Sequence, residues 1–262
     1  MNPKTLSGLT VLITRPSNQI DSMQRAIESA GAEVLSLPLI EIKALDNERA
    51  TQDLKDKILQ LDSYQALIFV SNNAVSYGGE VINNYWPQFP IGVDVIAIGP
   101  TTAKAARERF DCDVIQPSSG MTSEDILRLS ELHDVSRKKI GIVRGQGGRE
   151  LLADTLRERG AIVDYFEAYI RAPIDYERVA FCQKLQSAGV NVLTVSSGES
   201  LDRLTDLLAD NREMMQQLSL IVPSQRVGEQ AAGAGYEQVH NAGGADLLSF
   251  VSALDELSIN QE

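Results

Sequence analysis

The sequence predicts an α/β fold: two similar doubly wound parallel-sheet lobes, joined by a two-stranded linker, with an active-site cleft between them. Three observations predict it. At 262 residues the chain is longer than one hydrophobic core usually grows without dividing. Short apolar runs alternate with amphipathic stretches along the whole length, the pattern of βα units with parallel strands and right-handed crossovers. The pattern also occurs twice. VLITRP, a helix and GAEVLSLPLIEIK (31–43) are answered by IGIVRGQGG, a helix and GAIVDYFEAYIRAP (160–173), with Arg15 and Arg144 at equivalent places. ALIFVSNNAV (66–75) is answered by NVLTVSSGES (191–200), and VIAIGPTTAKAA (95–106) by SLIVPSQRVGEQAA (219–232).

In chain order, Leu9 to Thr14 is a β-branched apolar run closed by Arg15-Pro16-Ser17, and Ile20, Met23, Ile27 and Ala30 then share a helical face. Glu33 to Lys43 is extended with Pro38 in its middle, which suits an edge or linker strand, since proline cannot donate to a ladder. Asn47 to Leu61 is an amphipathic helix, and Ala66 to Val70 a continuous apolar run of the kind buried on both faces of a parallel sheet. Ser71 or Asn72 would cap a helix over 74–82. Val93 to Ile98 is a strand, and Gly99-Pro100-Thr101-Thr102 turns into a helix over 103–110 with a threonine at the cap. Val114 to Gln116, the turn Pro117-Ser118-Ser119-Gly120 and a helix over 125–133 complete the first half.

The second half opens with the strand Lys139 to Val143. A helix over 149–159 follows, with Leu151, Leu152 and Leu156 on its apolar face, and then the return strand Ile162 to Arg171. A helix over 175–188 turns Val179 and Leu185 inward, and the strand Val190 to Val195 ends in Ser196-Ser197-Gly198. Helices over 199–209 and 211–217, a strand at 220–222, the turn Pro223-Ser224-Gln225-Arg226, a helix over 227–234, a short strand at 238–241 and a last helix finish the chain. Lobe one then comprises residues 1–37 and 173–262, and lobe two residues 38–172, with crossover strands at 38–43 and 164–172. In such sheets ligands bind beyond the C-terminal strand ends.

Composition narrows the function classes. A net charge of −12 argues against a nucleic-acid partner, which needs a basic patch. Fixed charge is screened over about 8 Å at physiological salt, so a few arginines and helix N-termini can still hold a small anion. No segment approaches the roughly 20 apolar residues of a membrane span, and MNPKTLSGLT lacks the apolar stretch of a secretory leader. Cys112 and Cys182 lie in different halves, which fits a reducing compartment, so a cytoplasmic location is expected.

His133 and His240 are the only histidines, and neither has a partner at metal-ligand spacing, so no metal is expected and a Ser-His-Asp arrangement has little to draw on. Arg144-Gly145-Gln146-Gly147-Gly148-Arg149-Glu150 follows a strand as a dinucleotide fingerprint would, but Glu150 stands where the third glycine belongs. A tight turn before a helix is the plainer reading of it. What recurs is a hydroxyl residue where a strand hands over to a helix: Ser71, Thr101, Thr102, Ser118, Ser119, Thr122, Ser196, Ser197 and Ser224. Each can simply cap its helix, but several such ends converging would receive many carboxylates.

Together VLITRP, GAEVLSLPLIEI, LIFVSNNAV, AIGPTTAKA, YFEAYIRAP, VLTVSSGES and IVPSQRVGEQA followed by GADLL, in this order and spacing, resemble the uroporphyrinogen-III synthase family over the whole length. IVPSQR departs from the second Gly-Pro-Thr-Thr-like turn that the resemblance leads one to expect. The resemblance implies cofactor-free cyclisation of hydroxymethylbilane, a linear tetrapyrrole with eight carboxylates, to uroporphyrinogen III with inversion of ring D and loss of water. It implies Tyr169 as the acid that assists departure of hydroxide. Arg15, Ser71, Asn72, Thr101, Thr102, Ser118, Ser119, Arg144, Gly145, Ser196, Ser197, Gly198 and Ser224 are then substrate-binding candidates. The expected partners are this substrate and the preceding enzyme, hydroxymethylbilane synthase, with neither nucleic acid nor membrane. A non-catalytic two-lobed binding protein for a small anionic metabolite is the alternative, and an NAD-dependent enzyme a third reading.

Overall fold

The computed structural model describes residues 6–148 and 150–259. Arg149, expected at the start of a helix, and the first five residues of the chain lie outside them. Residues 1–41 with 172–262 form one compact unit and residues 42–171 a second. The chain passes between them twice.

The first unit begins with β1 (Thr10–Ile13), α1 (Ile20–Ser29) and β2 (Glu33–Ser36), and β3 (Ile40–Ala44) carries the chain across. The second contains α2 (Glu48–Ile58), β4 (Ala66–Phe69), α3 (Gly79–Tyr85), β5 (Asp94–Ala97), α4 (Pro100–Phe110), β6 (Val114–Ile115) and α5 (Ser123–Ile126). It continues with β7 (Lys139–Gly145), α6 (Leu151–Glu158) and β8 (Ile162–Pro173), which returns to the first unit. There follow α7 (Arg178–Ser187), β9 (Val192–Thr194), α8 (Gly198–Leu208), α9 (Arg212–Gln217), β10 (Ser219–Val222), α10 (Gln225–Ala234), β11 (Val239–Asn241) and α11 (Leu247–Ile259).

Among the described residues the first unit's sheet has the order β11-β10-β9-β1-β2 and the second's β3-β8-β7-β4-β5-β6. Matching β7 with β1, β8 with β2, β4 with β9, β5 with β10 and β6 with β11 makes the two orders one, with β3 added at an edge. The register agrees residue by residue: Thr10 pairs with Glu33 as Lys139 pairs with Ile162, which aligns Arg15 with Arg144 and Ile40 with Tyr169. The duplication read from the sequence is therefore a duplication of topology. In each sheet the order reverses beside the first strand of the repeat, between β1 and β9 and between β7 and β4. Such a switch point opens a crevice at the C-terminal strand ends, where ligands bind in sheets of this kind.

Both sheets are covered on both faces. Leu12, Leu193 and Leu220 join one core and their neighbours Val11, Ile13, Val192 and Ile221 another. In the second unit Leu67, Phe69 and Val95 divide from Ala66, Ile68, Ile96, Ile140 and Ile142 in the same alternation. Unbroken apolar runs are what a strand buried on both sides requires.

Four local expectations are corrected. The extended stretch at 33–43 is two strands, because Pro38 has no N–H to donate; Leu37 and Leu39 on either side donate to the Ile13 and Thr14 carbonyls at 3.0 and 3.1 Å. Its copy in β8 is continuous but bulged, pairing passing from Arg144 with Glu167 to Gly145 with Tyr169. The helix expected over 125–133 ends at Ile126 and resumes only as a turn of 3₁₀ helix at Ser130–Leu132. Val179 points outward, 62 % exposed, since Phe181 and Leu185 are the buried positions of α7; Leu151 is likewise exposed.

Candidate active site

In the second unit the switch point collects the end of β4, the end of β7 and the bulge of β8. Tyr169 is 6 % exposed and belongs to the core of its unit, yet its hydroxyl lies 3.2 Å from Ser71 Oγ. Ser71 Oγ also accepts the Ala74 N–H at 3.0 Å, the capping role expected of it. The chain after Asn73 is wound as a π-helical turn, Ala74–Gly78, a rare form that often marks functional positions. That turn brings Tyr77 alongside Tyr169, ring centroids 5.6 Å apart, and the Tyr77 hydroxyl donates to the Ile42 carbonyl at 2.7 Å. Asn72 is exposed at the same helix start.

Gly145 is needed for a steric reason. A Cβ there would stand 2.5 Å from Tyr169 Cε2 and 2.9 Å from Cζ, so the ring occupies the space of the missing side chain. Just beyond it, Gly147 and Gly148 have φ of 73° and 97°, the left-handed region that favours glycine, which accounts for the glycine-rich run as a turn. Arg144 is buried, its guanidinium 4.7 Å from the Tyr165 ring centroid and its Nε donating to the Gly145 carbonyl at 3.2 Å.

In the first unit Arg15 occupies the equivalent place and also lies over an aromatic ring, 5.1 Å from the Phe250 centroid. One terminal nitrogen donates to the Ala245 carbonyl, while Nε is buried without a hydrogen-bond partner. Burial pushes the guanidinium below its ordinary pKa and Asp246 acts against that. Asp246 is itself held below the usual carboxylate range by the Ser249 hydroxyl and N–H, at 2.7 and 3.1 Å.

Ser196, Ser197 and Gly198 follow β9 beside Arg15's strand. Ser197 caps α8: its Oγ accepts the Ser200 N–H at 3.2 Å and Ser200 Oγ accepts the Ser197 N–H at 3.0 Å. Gly198 opens that helix with Gln230 close by, 2.9 Å from where a Cβ would stand. Ser224 caps α10, accepting the Val227 N–H at 3.5 Å.

Two sets of candidates are placed differently from the expectation. Thr101 and Thr102 are inside α4, whose N-cap is Gly99 with no side-chain bond; Thr101 is exposed and Thr102 buried. Proline at N1 shifts the helix start upstream, so the threonines fall two and three residues past the cap, inside the first turn. Ser118 and Ser119 are exposed in the turn before Gly120 and do not cap α5; Thr122 does, in a reciprocal box with Asp125. Tyr77 and Ser200 were not singled out from sequence. A π-helical turn follows no apolar period, and a serine at the third helical position carries a weaker signal than Glu or Gln.

Among the described residues no helix is long and apolar enough to cross a membrane, and no group of three or more His, Cys, Asp or Glu residues could hold a metal ion.

A model of the family described as Uroporphyrinogen-III synthase HemD matches residues 21–250. A Uroporphyrinogen-III synthase from Salmonella typhimurium is 32 % identical over 248 residues, 94 % of this chain and 100 % of the relative. The Escherichia coli protein of the same description is 30 % identical over 251 residues, at 94 % and 100 %. That of Proteus mirabilis is 37 % identical over 196 residues, 75 % of this chain and 97 % of its own. Among solved structures, a mutant Uroporphyrinogen III Synthase from Thermus thermophilus aligns with a TM-score of 0.59 at 15 % identity, covering 97 % of this chain and 100 % of that one. The uroporphyrinogen-III synthetase from Helicobacter pylori aligns at 0.57 and 14 %, covering 97 % and 99 %. The structures, at such low identity, speak for the fold, and the family match and the bacterial relatives for the rest: the chain belongs to the uroporphyrinogen-III synthase family.

Proposed function

We propose that Tyr169 assists the departure of hydroxide when this cyclising lyase of haem biosynthesis closes hydroxymethylbilane to uroporphyrinogen III. The observation that carries the reading is the Tyr169 hydroxyl at the switch point of its sheet, 3.2 Å from Ser71 Oγ and with its ring seated on Gly145. The phenol proton goes to the leaving hydroxyl, the carbon–oxygen bond breaks, and water departs with the electron pair. The pyrrole nitrogen lone pair stabilises the resulting azafulvene cation. Attack by the substituted carbon of ring D gives a spiro intermediate, which fragments and recloses with the ring inverted; the proton lost at the final ring closure restores the phenol. A single general acid supplies only part of such a rate. Holding the chain of pyrroles in the one productive geometry is the larger share.

In this reading each unit offers its own receivers for substrate carboxylates: in the second the N–H groups at the start of α4 and beside Asn72, with Arg144 as cationic partner, and in the first those at the starts of α8 and α10, with Arg15. Ser118 and Ser119 contribute only as turn hydroxyls, since α5 is too short to carry a useful dipole. Two unpaired cysteines support the reading of a cytoplasmic location. Because hydroxymethylbilane also closes unaided to the type I isomer, direct receipt from hydroxymethylbilane synthase would limit that loss.

The test is an isomer assay: hydroxymethylbilane is generated enzymatically in the presence of this protein, and the porphyrinogens are separated. Type III product is expected. Type I alone, at the spontaneous rate, would leave a non-catalytic binding protein.

A further inference from the structure

Comparing the two copies of the repeat isolates what is particular to the second. Val192 of β9 and Ala66 of β4 hold the same place, since Val11 pairs with Val192 as Ile140 pairs with Ala66. Counting on from that match, Ser197 corresponds to Ser71 and Ser200 to Ala74. Both serines cap, each accepting the N–H three residues on. In the first unit the Ser197 and Ser200 hydroxyls lie 3.0 Å apart and satisfy each other locally. In the second, Ala74 has no hydroxyl, and Ser71 Oγ lies instead against the Tyr169 hydroxyl. Counting along the repeat, the first copy has Ile40, 3 % exposed, where the second has Tyr169. The serine is thus common to both copies, but only one copy directs it at a phenol.

A hydroxyl has one proton to donate and two lone pairs. With one lone pair of Ser71 held by the Ala74 N–H, its rotation is restricted and its proton can be presented to Tyr169. On the other side the Tyr77 ring lies against the Tyr169 ring, tilted by 35°, and the Tyr77 hydroxyl is tied to the Ile42 backbone. Beneath, Gly78 is packed so closely that a Cβ would meet Val143 Cγ1 at 2.5 Å, which fixes the π-helical turn against β7.

We propose that Ser71 and Tyr77 are positioning residues for Tyr169: Ser71 donates a hydrogen bond to the phenolate oxygen formed when Tyr169 gives up its proton, and Tyr77 holds the ring in line. The step balances, since the proton passes from Tyr169 to the departing hydroxyl and the Ser71 proton stays on serine throughout. This rests on the acid role of Tyr169 given above. It gives Ser71 a different task from Ser197, which the repeat would otherwise make its equal.

The experiment is a double-mutant cycle, with kcat, KM and the type III to type I ratio measured for Ser71→Ala, Ser71→Gly, Ser71→Thr, Tyr77→Phe, Tyr169→Phe and Ser71→Ala with Tyr169→Phe. Glycine is an adequate N-cap, so Ser71→Gly removes the hydroxyl while keeping the helix start, should Ser71→Ala fold poorly. Ser71→Ala and Ser71→Gly should lower kcat about threefold to tenfold with KM changed less than about twofold. Ser71→Thr, which keeps the hydroxyl, should restore most of the rate, and Tyr77→Phe should lower kcat about twofold to fivefold. In the Tyr169→Phe background Ser71→Ala should have no further effect on kcat, because there is no phenolate to receive its bond. If Ser71→Ala acts by the same factor in both backgrounds, or chiefly raises KM, the positioning role is overturned while the acid role stands. If Tyr169→Phe turns over at the wild-type rate, the acid role fails and this proposal with it.

Discussion

Tyr169 and Ile40 hold the same position in the duplicated crossover stretch, Tyr169 with its hydroxyl against Ser71 and Ile40 buried in an apolar core. The duplication therefore repeats the framework but sets a phenol at this position in only one of the two copies. Tyr169→Phe keeps the ring on Gly145 and removes only the hydroxyl, so the melting temperature should stay near wild type. Turnover should fall roughly tenfold to hundredfold, the lower part of what general acids contribute. Steady-state kinetics with freshly generated substrate measure this, and an unchanged kcat would reduce Tyr169 to a packing residue.

Gly145→Ala tests the same ring from beneath. The added methyl has no room beside Tyr169 Cε2, so the ring must tilt or the β8 bulge must shift. Overpacking of this kind costs about 1–3 kcal/mol. Displacing the hydroxyl should cost turnover on the order of tenfold to hundredfold. Thermal unfolding and kcat are measured together; a stability loss with full activity would show that the hydroxyl's position is unimportant.

Capping and ligand binding separate by comparing Ser197→Ala with Thr101→Ala. Ser197 belongs to a reciprocal box, and its loss should cost about 1 kcal/mol. Thr101 is exposed and makes no cap, so its replacement should stay within about 0.5 kcal/mol. If both helix ends receive substrate carboxylates, both variants should raise KM, on the order of tenfold for a hydrogen bond to a charged group. A Thr101→Ala protein with wild-type stability and wild-type KM would show that the Thr101 hydroxyl takes no part in holding substrate.

His240 makes stability depend on pH. It lies in the middle of β11 with Nε2 buried and unpartnered, and burial lowers its pKa from the ordinary 6.5. Above pH 6.5 the imidazole is neutral in both folded and unfolded chains, and its contribution is fully present. As the pH falls the unfolded chain takes up the proton first, so stability is lost until the folded pKa is passed. Denaturant melts between pH 7.5 and about 5 should show a decline that is shallower in His240→Gln. Identical slopes for the two proteins would exclude the histidine as the source.

Much of this protein was legible in one dimension. The order of βα units, the pairing of VLITRP with IGIVRG and of the two GA segments, and the serines that cap α8 and α10 all rest on interactions between near neighbours. Apolar runs, caps and glycine stops depend on residues within a few positions of one another, so spacing alone carries them. The tertiary structure decided the rest. It put Gly99 rather than a threonine at the N-cap of α4, because a helix begins where its backbone can turn and proline at N1 moved that point. It split one crossover strand at Pro38 and bulged its copy at Tyr169, because the donor that proline lacks is missed only where a neighbouring strand waits for it. And it brought Tyr77, Ser71 and Gly145 around Tyr169, contacts between strands and a π-helical turn that are distant in sequence and follow no period a reader could count.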